Sequence, residues 1–128
     1  MNPRLQLNIR RTIMNAKKEF LNEIEHKPKL KCANIELQLG YKEYEIFNLP
    51  IGFTNKQFDE YLDVLDFEYD DGYGGQNLFG DIWYEDGTWS ERYEYDGSEQ
   101  WDYKKCPEIP KELAAPDQPT KANKENDK

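Results

Sequence analysis

The chain lacks long hydrophobic runs and has little of the chemistry that marks secreted, membrane or metal-binding proteins. No stretch of its 128 residues approaches the roughly 20 consecutive apolar residues of a membrane-spanning helix. It has only two cysteines, Cys32 and Cys106, and one histidine, His26. This set does not make a zinc site, and it indicates two reduced, partly buried thiols. Because the N-terminus has no signal-type apolar run, we expect a cytoplasmic protein. We also expect no metal, no cofactor and no membrane contact.

Basic residues are almost absent from one contiguous part of the chain. Residues 54–103 hold fifteen acidic and two basic residues, a net charge of −13, whereas the whole chain carries −9. Such a negative surface repels phosphates, so we expect no direct nucleic-acid binding. It attracts a protein with a basic surface instead. The alternative is that these charges only solvate an exposed face.

Aromatic residues are abundant, with nine Tyr, six Phe and three Trp. Their large side chains can build one core in an otherwise polar chain of this length. We expect a single domain over residues 14–109, with a loosely attached segment at residues 1–13. Four prolines punctuate the polar C-terminal part, and residues 110–128 are expected to be a disordered tail.

Hydrophobic periodicity predicts an α+β fold. Phe20, Leu21 and Ile24 share one stripe of a helix over residues 14–26, and alternation over residues 33–39 begins a pair of strands. Thr54 and Gln57 form a capping box that starts a second helix. An acidic, glycine-rich loop follows, and then come three strands at about 78–85, 88–95 and 99–105. The expected order is α-β-β-α-β-β-β, with both helices on one face of an antiparallel sheet that ends in a β-meander.

Two Asp-Gly pairs divide the meander and fix its expected register. A two-residue turn at Asp86-Gly87 pairs Ile82 with Glu91 and Asp81 with Arg92. The same turn at Asp96-Gly97 would oppose Glu94 and Glu99, so a three-residue loop is expected there. The predicted inner face then carries Ile82, Tyr84, Trp89, Tyr93, Tyr95, Trp101 and Tyr103. The predicted outer face carries Asp81, Trp83, Glu85, Ser90, Arg92, Glu94, Gln100 and Asp102, with Arg92 bracing Asp81 and Asp102.

The outer face is the predicted partner-binding surface, because the inner face is needed for the core. An outward tryptophan among carboxylates is unusual, and tryptophan is enriched at binding hot spots. The alternative is that other residues cover it. The predicted surface is centred on Trp83 and includes the neighbouring acids Asp70, Asp71, Asp81, Glu85, Glu94 and Asp102.

No residue pattern predicts catalysis or a dedicated metal site. Asp66, Glu68 and Asp70 have the spacing of a calcium loop, but Asp71 replaces its glycine and Asn77 its bidentate glutamate. Carboxylate pairs of glycosidase type are expected by chance in so acidic a segment. We therefore expect a binding protein rather than an enzyme. A small carboxylate- or metal-dependent hydrolase is the second hypothesis, and a structural or virion component is the third.

The segment GDIWYEDGTWSERYEYDGSEQW, residues 80–101, resembles a family of small, uncharacterised acidic proteins of bacteriophages and prophages. Those proteins have a DGTWxERxEYDGSEWW-like segment before a proline-containing tail, and the resemblance covers about Met14 to Pro110. Gln100 stands where the family pattern has tryptophan. The resemblance implies an accessory or counter-defence role in the host-cell cytoplasm, such as inhibition of a host protein by imitation of nucleic acid. It implies no catalytic residue.

Overall fold

The computed structural model describes residues 12–71 and 75–113, without the side chains of residues 12 and 71. These residues form a short N-terminal strand, two helices and six further strands, and a 3₁₀ turn follows at Lys111–Leu113. The elements are β1 (Thr12–Asn15), α1 (Ala16–Ile24), β2 (Leu30–Gly40), β3 (Glu43–Leu49), α2 (Asn55–Val64), β4 (Glu68–Asp71), β5 (Leu78–Tyr84), β6 (Trp89–Tyr95) and β7 (Ser98–Lys104).

The predicted α+β class is confirmed. Five antiparallel strands form one sheet in the order β3-β2-β5-β6-β7, and the predicted meander is its β5-β6-β7 part. Strands β1 and β4 form a separate antiparallel pair that the sequence did not predict. The Asn15 side chain accepts the N–H of Lys18 at 2.9 Å, so it caps α1 and leaves Thr12–Asn15 extended.

The start of α2 is as predicted. The Thr54 hydroxyl accepts the N–H of Gln57 at 3.1 Å, and the Gln57 side chain accepts the N–H of Thr54 at 2.8 Å. Phe53 stacks on Phe58 with ring centroids 5.8 Å apart, which is the hydrophobic staple of this capping box. These local contacts fix where the chain enters the helix, so the sequence alone was sufficient to place it.

Both helices pack on one face of the five-stranded sheet, called here the inner face. Phe20 of α1 meets Tyr61 of α2 edge to face at 5.6 Å, and the Tyr61 hydroxyl donates to the carbonyl of Phe47 at 3.0 Å. Burial raises the pKa of the Tyr61 hydroxyl. The buried apolar side chains are Ala16, Phe20, Ala33, Ile35, Leu49, Tyr61, Leu65, Tyr69, Leu78, Ile82 and Tyr84.

The predicted register of the first hairpin is wrong by one residue. Trp83 lies opposite Trp89 and Asp81 opposite Glu91, so the loop has three residues, 85–87. The Asp86 carboxylate accepts the N–H of Thr88 at 3.0 Å and its hydroxyl at 2.6 Å. This Asx turn holds Thr88 at the end of the loop, where its carbonyl accepts the N–H of Tyr84.

The second hairpin is also different, with a two-residue turn at Asp96-Gly97. Both turn residues have positive φ, 55° and 84°, as a type I′ turn requires. Glu94 therefore lies opposite Glu99, the like-charge pair that argued against this register. The repulsion is relieved because the two carboxylates have different partners: Glu94 accepts the N–H of Gly97 at 2.7 Å, and Glu99 binds Arg92 at 3.0 Å.

Because of the two different turns, the residues of β6 lie on the faces opposite to those predicted, whereas the residues of β5 and β7 do not. Ser90 and Arg92, predicted to lie outside, are buried on the inner face. Trp89, Tyr93 and Tyr95, predicted for the core, lie on the opposite face. The predicted faces of β5 and β7 are as expected, with Tyr84 and Trp101 inside.

Arg92 does not brace Asp81 and Asp102; it is the centre of a buried polar cluster. Its guanidinium donates to Glu99 Oε1 from Nε at 3.2 Å and from Nη2 at 3.0 Å. Nη2 also lies 3.4 Å from Glu19 of α1 and donates to the Tyr69 hydroxyl of β4. The Glu99 carboxylate further accepts the N–H groups of Asn77 and Leu78. This cluster ties α1, β4, β6 and β7 together.

The ends of the predicted domain lie largely outside the described residues. Of the N-terminal segment only Thr12 and Ile13 are described, and they belong to β1. Of the predicted tail, Lys111–Leu113 form the 3₁₀ turn. Cys32 is half-buried whereas Cys106 is exposed, and both are free thiols. No helix among the described residues is long and apolar enough to cross a membrane.

Candidate binding face

The sheet face opposite the helices, called the outer face, carries an unusual set of aromatic and acidic side chains that are exposed or half-buried. Alternation along the five strands places there the aromatic residues Tyr44, Phe79, Trp83, Trp89, Tyr93 and Tyr95. Outside the β-bulges of β2, the charged residues on this face are Glu36, Asp81, Glu91, Asp102 and Lys104. Trp83 is 38% and Tyr93 43% exposed, so neither helix covers this face.

A row of carboxylates crosses three neighbouring strands of the outer face. Asp81 of β5 lies opposite Glu91 of β6, which lies opposite Asp102 of β7. Side chains directly opposite in an antiparallel sheet have Cβ atoms about 5 Å apart. The row continues through Asn34 to Asn48, whose amides are hydrogen-bonded to each other. Three adjacent negative charges therefore face solvent in one line.

The charges in this row are only partly compensated. Lys104 Nζ lies 3.4 Å from an Asp102 oxygen, whereas Arg92 points to the inner face. The Asp81 carboxylate has no hydrogen bond or ion pair with the side chains or backbone of the described residues. Burial raises the pKa of the Asp81 carboxyl above its usual value, and the neighbouring charge of Glu91 raises it further. The Asp81–Glu91 pair is consequently a local site where positive charge would be stabilised.

A row of indoles lies beside the carboxylate row. Trp83 and Trp89 are directly opposite each other, two residues along their strands from Asp81 and Glu91. The Trp89 indole N–H donates to Glu91 Oε1 at 3.0 Å, which orients both side chains. These four residues, Asp81, Trp83, Trp89 and Glu91, are called the acid–indole quartet below. Neighbouring members along each strand are about 7 Å apart, from the strand rise.

A shallow apolar cleft adjoins the quartet at Trp83. Its volume is about 310 Å³, and it is lined by Lys31, Cys32, Ile51, Trp83, Tyr84 and Gly87. Burial raises the pKa of the Cys32 thiol, Lys31 opposes this, and the charge of Glu85 adds to it. Ile51 is 67% exposed at the rim. The cleft gives the outer face a depression beside an exposed indole, where an apolar group of a partner can be desolvated.

The structure brings together only part of the predicted site. Trp83, Asp81 and Asp102 lie on the outer face, and Glu85 follows at the end of β5 near Cys32. Glu94 lies on the inner side of β6, where it caps Gly97.

The other two predicted acids lie on the separate two-stranded sheet. Asp70 is in β4, paired with Ile13, and Asp71 pairs through its backbone with Thr12; the side chain of Asp71 is outside the described set. Residues 70 and 71 therefore belong to a different sheet from Trp83.

Sequence reasoning missed Trp89 and Glu91, the two members of the quartet on β6. Both follow from the three-residue loop 85–87, and the available signal was the Asp86-Gly87-Thr88 order. An aspartate that accepts from the residue two positions later forms an Asx turn, which competes with the two-residue Asp-Gly turn. Alternate residues of β6 do point to opposite faces of the sheet, as predicted. The prediction was wrong about which of the two sets lies on the inner face.

Within residues 12–71 and 75–113, no three His, Cys, Asp or Glu side chains are arranged to hold a metal ion. The incomplete calcium-loop pattern of residues 66–77 includes residues 72–74, which lie outside the described residues. Comparisons with protein-family models, with curated proteins and with solved structures found no match to this chain.

Proposed function

We propose that this chain is a non-enzymatic acidic binding protein that uses its outer face to occupy a basic site on another protein. The acid–indole quartet is the observation that supports it. The exposed Trp83 and the half-buried Trp89 lie beside two carboxylates that have no cation partner among the described residues. Carboxylates attract a basic surface at long range, and a buried indole anchors it at short range.

The biological setting of this proposal is a phage-type accessory or counter-defence role in the host cytoplasm. The segment at residues 80–101 supports the setting through its resemblance to phage and prophage proteins. A line of carboxylates across a sheet also suits a groove that normally accepts phosphates, such as a nucleic-acid-binding site. The protein would then act as a nucleic-acid mimic and an inhibitor of a host protein, without binding nucleic acid itself.

A small carboxylate-dependent hydrolase is the second candidate, and one observation favours it. Asp81 and Glu91 are adjacent carboxylates, and the pKa of Asp81 is raised. Paired-carboxylate enzymes use such an asymmetry to separate acid from base. The pair lies on an open sheet face, however, and not in a concave pocket that would exclude water from a substrate. This openness favours binding over catalysis.

The test compares baits that differ only in one side chain. Wild-type protein, Trp83→Ala, Glu91→Lys and Glu60→Lys are immobilised and exposed to bacterial lysate at low salt. Glu60 is an exposed residue of α2, on the side of the molecule opposite the outer face. A basic or nucleic-acid-binding protein should be retained by the wild type and Glu60→Lys, and lost by the two outer-face variants. With the purified partner, Trp83→Ala should weaken binding by about 30-fold, from about 2 kcal/mol for a central tryptophan.

Recovery of no basic partner would contradict the proposal. Binding that survives both Trp83→Ala and Glu91→Lys would place the site on another surface. Competition by nucleic acid provides a separate check of the mimicry, because a partner bound through its phosphate-binding groove should be displaced by nucleic acid. If turnover of a glycoside or ester were instead found and abolished by Asp81→Asn, the hydrolase hypothesis would replace this one.

A further inference from the structure

The structure contains its own example of how this protein binds a guanidinium group. Arg92 lies with its guanidinium 5.2 Å from the Trp101 ring centroid and 5.8 Å from that of Tyr69. The Glu99 carboxylate accepts from its Nε and Nη2 at 3.2 and 3.0 Å. An aromatic face and a carboxylate thus act together on one cation.

The acid–indole quartet has the same two components on the outer face. Trp83 and Trp89 supply the aromatic rings, and Asp81 and Glu91 supply carboxylates about 7 Å further along the strands. A planar guanidinium can lie on a ring, within about 6 Å of its centroid, while its N–H groups reach toward a neighbouring carboxylate. Asp102 already forms an ion pair with Lys104. Among the described residues, the carboxylates of this row without a cation partner are those of Asp81 and Glu91.

From this geometry and charge complementarity we infer that the quartet recognises arginine side chains on a basic protein segment, in preference to lysine. The inference rests on the proposed function and adds the chemical identity of the partner's contact residues. Arginine is planar, weakly hydrated and able to bind a carboxylate through two N–H groups while it stacks on an aromatic ring. The ammonium of lysine is compact and strongly hydrated, so it gains mainly from the negative charge and less from the indoles.

The test uses two synthetic peptides of identical length and charge, one with arginine and the other with lysine at every basic position. Their affinities for the full-length protein are measured by isothermal titration calorimetry at low salt. We expect the arginine peptide to bind about tenfold more tightly, from the cation–π and bidentate contacts. Trp83→Leu and Trp89→Leu should each remove most of this preference, while the affinity for the lysine peptide changes by less than about threefold.

Two further variants separate the aromatic contribution from the charge. Tyr41→Leu removes an aromatic ring that is 88% exposed in the β2–β3 turn, away from the quartet, and should leave both affinities unchanged. Glu91→Gln should weaken both peptides. Circular dichroism of each variant confirms that a loss of binding is not a loss of folding.

The outcomes distinguish this inference from the proposed function. Equal affinity for the two peptides, with both weakened by Glu91→Gln, would overturn the arginine preference and leave an acidic docking face. A preference for arginine that persists in both tryptophan variants would also overturn it, because the rings would not be its source. If neither peptide binds, the proposed function fails as well.

Discussion

Replacement of Glu99 by leucine tests the register that defines both faces of the sheet. The Glu99 and Arg92 side chains are each only 1% exposed, although they are charged. Among the described residues, Glu99→Leu would leave the buried Arg92 guanidinium with Glu19 at 3.4 Å and the Tyr69 hydroxyl as polar partners. It would also remove the acceptor for the N–H groups of Asn77 and Leu78, at 2.6 and 2.9 Å.

The expected loss of stability is large. Removing one partner of a buried ion pair costs about 3–5 kcal/mol, and a buried unsatisfied N–H costs about 1–3 kcal/mol. These contributions are not additive, because the segment around Asn77 can move toward water. We expect a loss of about 4 kcal/mol, a substantial part of the roughly 5–15 kcal/mol that stabilises a domain. The double variant Arg92→Met/Glu99→Leu should be about 2 kcal/mol more stable than Glu99→Leu alone, since the guanidinium charge is no longer buried without Glu99.

Urea unfolding followed by tryptophan fluorescence and circular dichroism measures these differences. Glu94→Leu is the matched control, with the same chemical change on the same hairpin. Glu94 is exposed, and its carboxylate accepts only the N–H of Gly97 among the described residues. The control should cost less than about 1 kcal/mol. If Glu99→Leu were no more destabilising than Glu94→Leu, Glu99 and Arg92 would not be a buried pair, and the β6 register would be wrong.

Two further predictions concern β5. Gly80 has a φ of 138°, and a Cβ there would overlap the carbonyl oxygen of Asn34; Gly80→Ala should cost about 3 kcal/mol in urea unfolding. At Gly75 no atom of the described residues, apart from its chain neighbours, lies within 4 Å of an added Cβ, so Gly75→Ala should change stability by less than about 0.5 kcal/mol. Equal effects of the two substitutions would contradict the close approach of β2 and β5. Because the folded-state pKa of Asp81 is raised above 3.8, its ionisation opposes folding, so Asp81→Asn should stabilise the protein at neutral pH by on the order of 0.5 kcal/mol after solvent screening. This gain should disappear below pH 3.8, where the carboxyl is protonated in both states; a gain that persists there would show that charge is not its cause.

The elements whose signals are local could be predicted from the sequence. The capping box of Thr54 and Gln57 and the staple of Phe53 on Phe58 need only neighbouring residues, and they place α2 correctly. Alternation of apolar residues likewise placed β2, and the two Asp-Gly pairs placed the turns of the meander. The acidity of residues 54–103 and the outward position of Trp83 also followed from the sequence.

The register of the short strands could not be predicted, because it depends on contacts between distant parts of the chain. A change of one residue in a hairpin loop exchanges the two faces of a strand, and Asp-Gly is compatible with loops of two or three residues. The like-charge pair Glu94 and Glu99 appeared unfavourable because the sequence could not show that Arg92 would be buried beside Glu99. Glu19, Tyr69 and the backbone of residues 77 and 78 complete that cluster from distant parts of the chain. Ser90 and Arg92 lie on the inner face, so Trp89 and Glu91 lie on the outer face and complete the quartet there. The Asx turn of Asp86 is compatible with this register of β6, and the buried contacts of Arg92 with distant parts of the chain stabilise it.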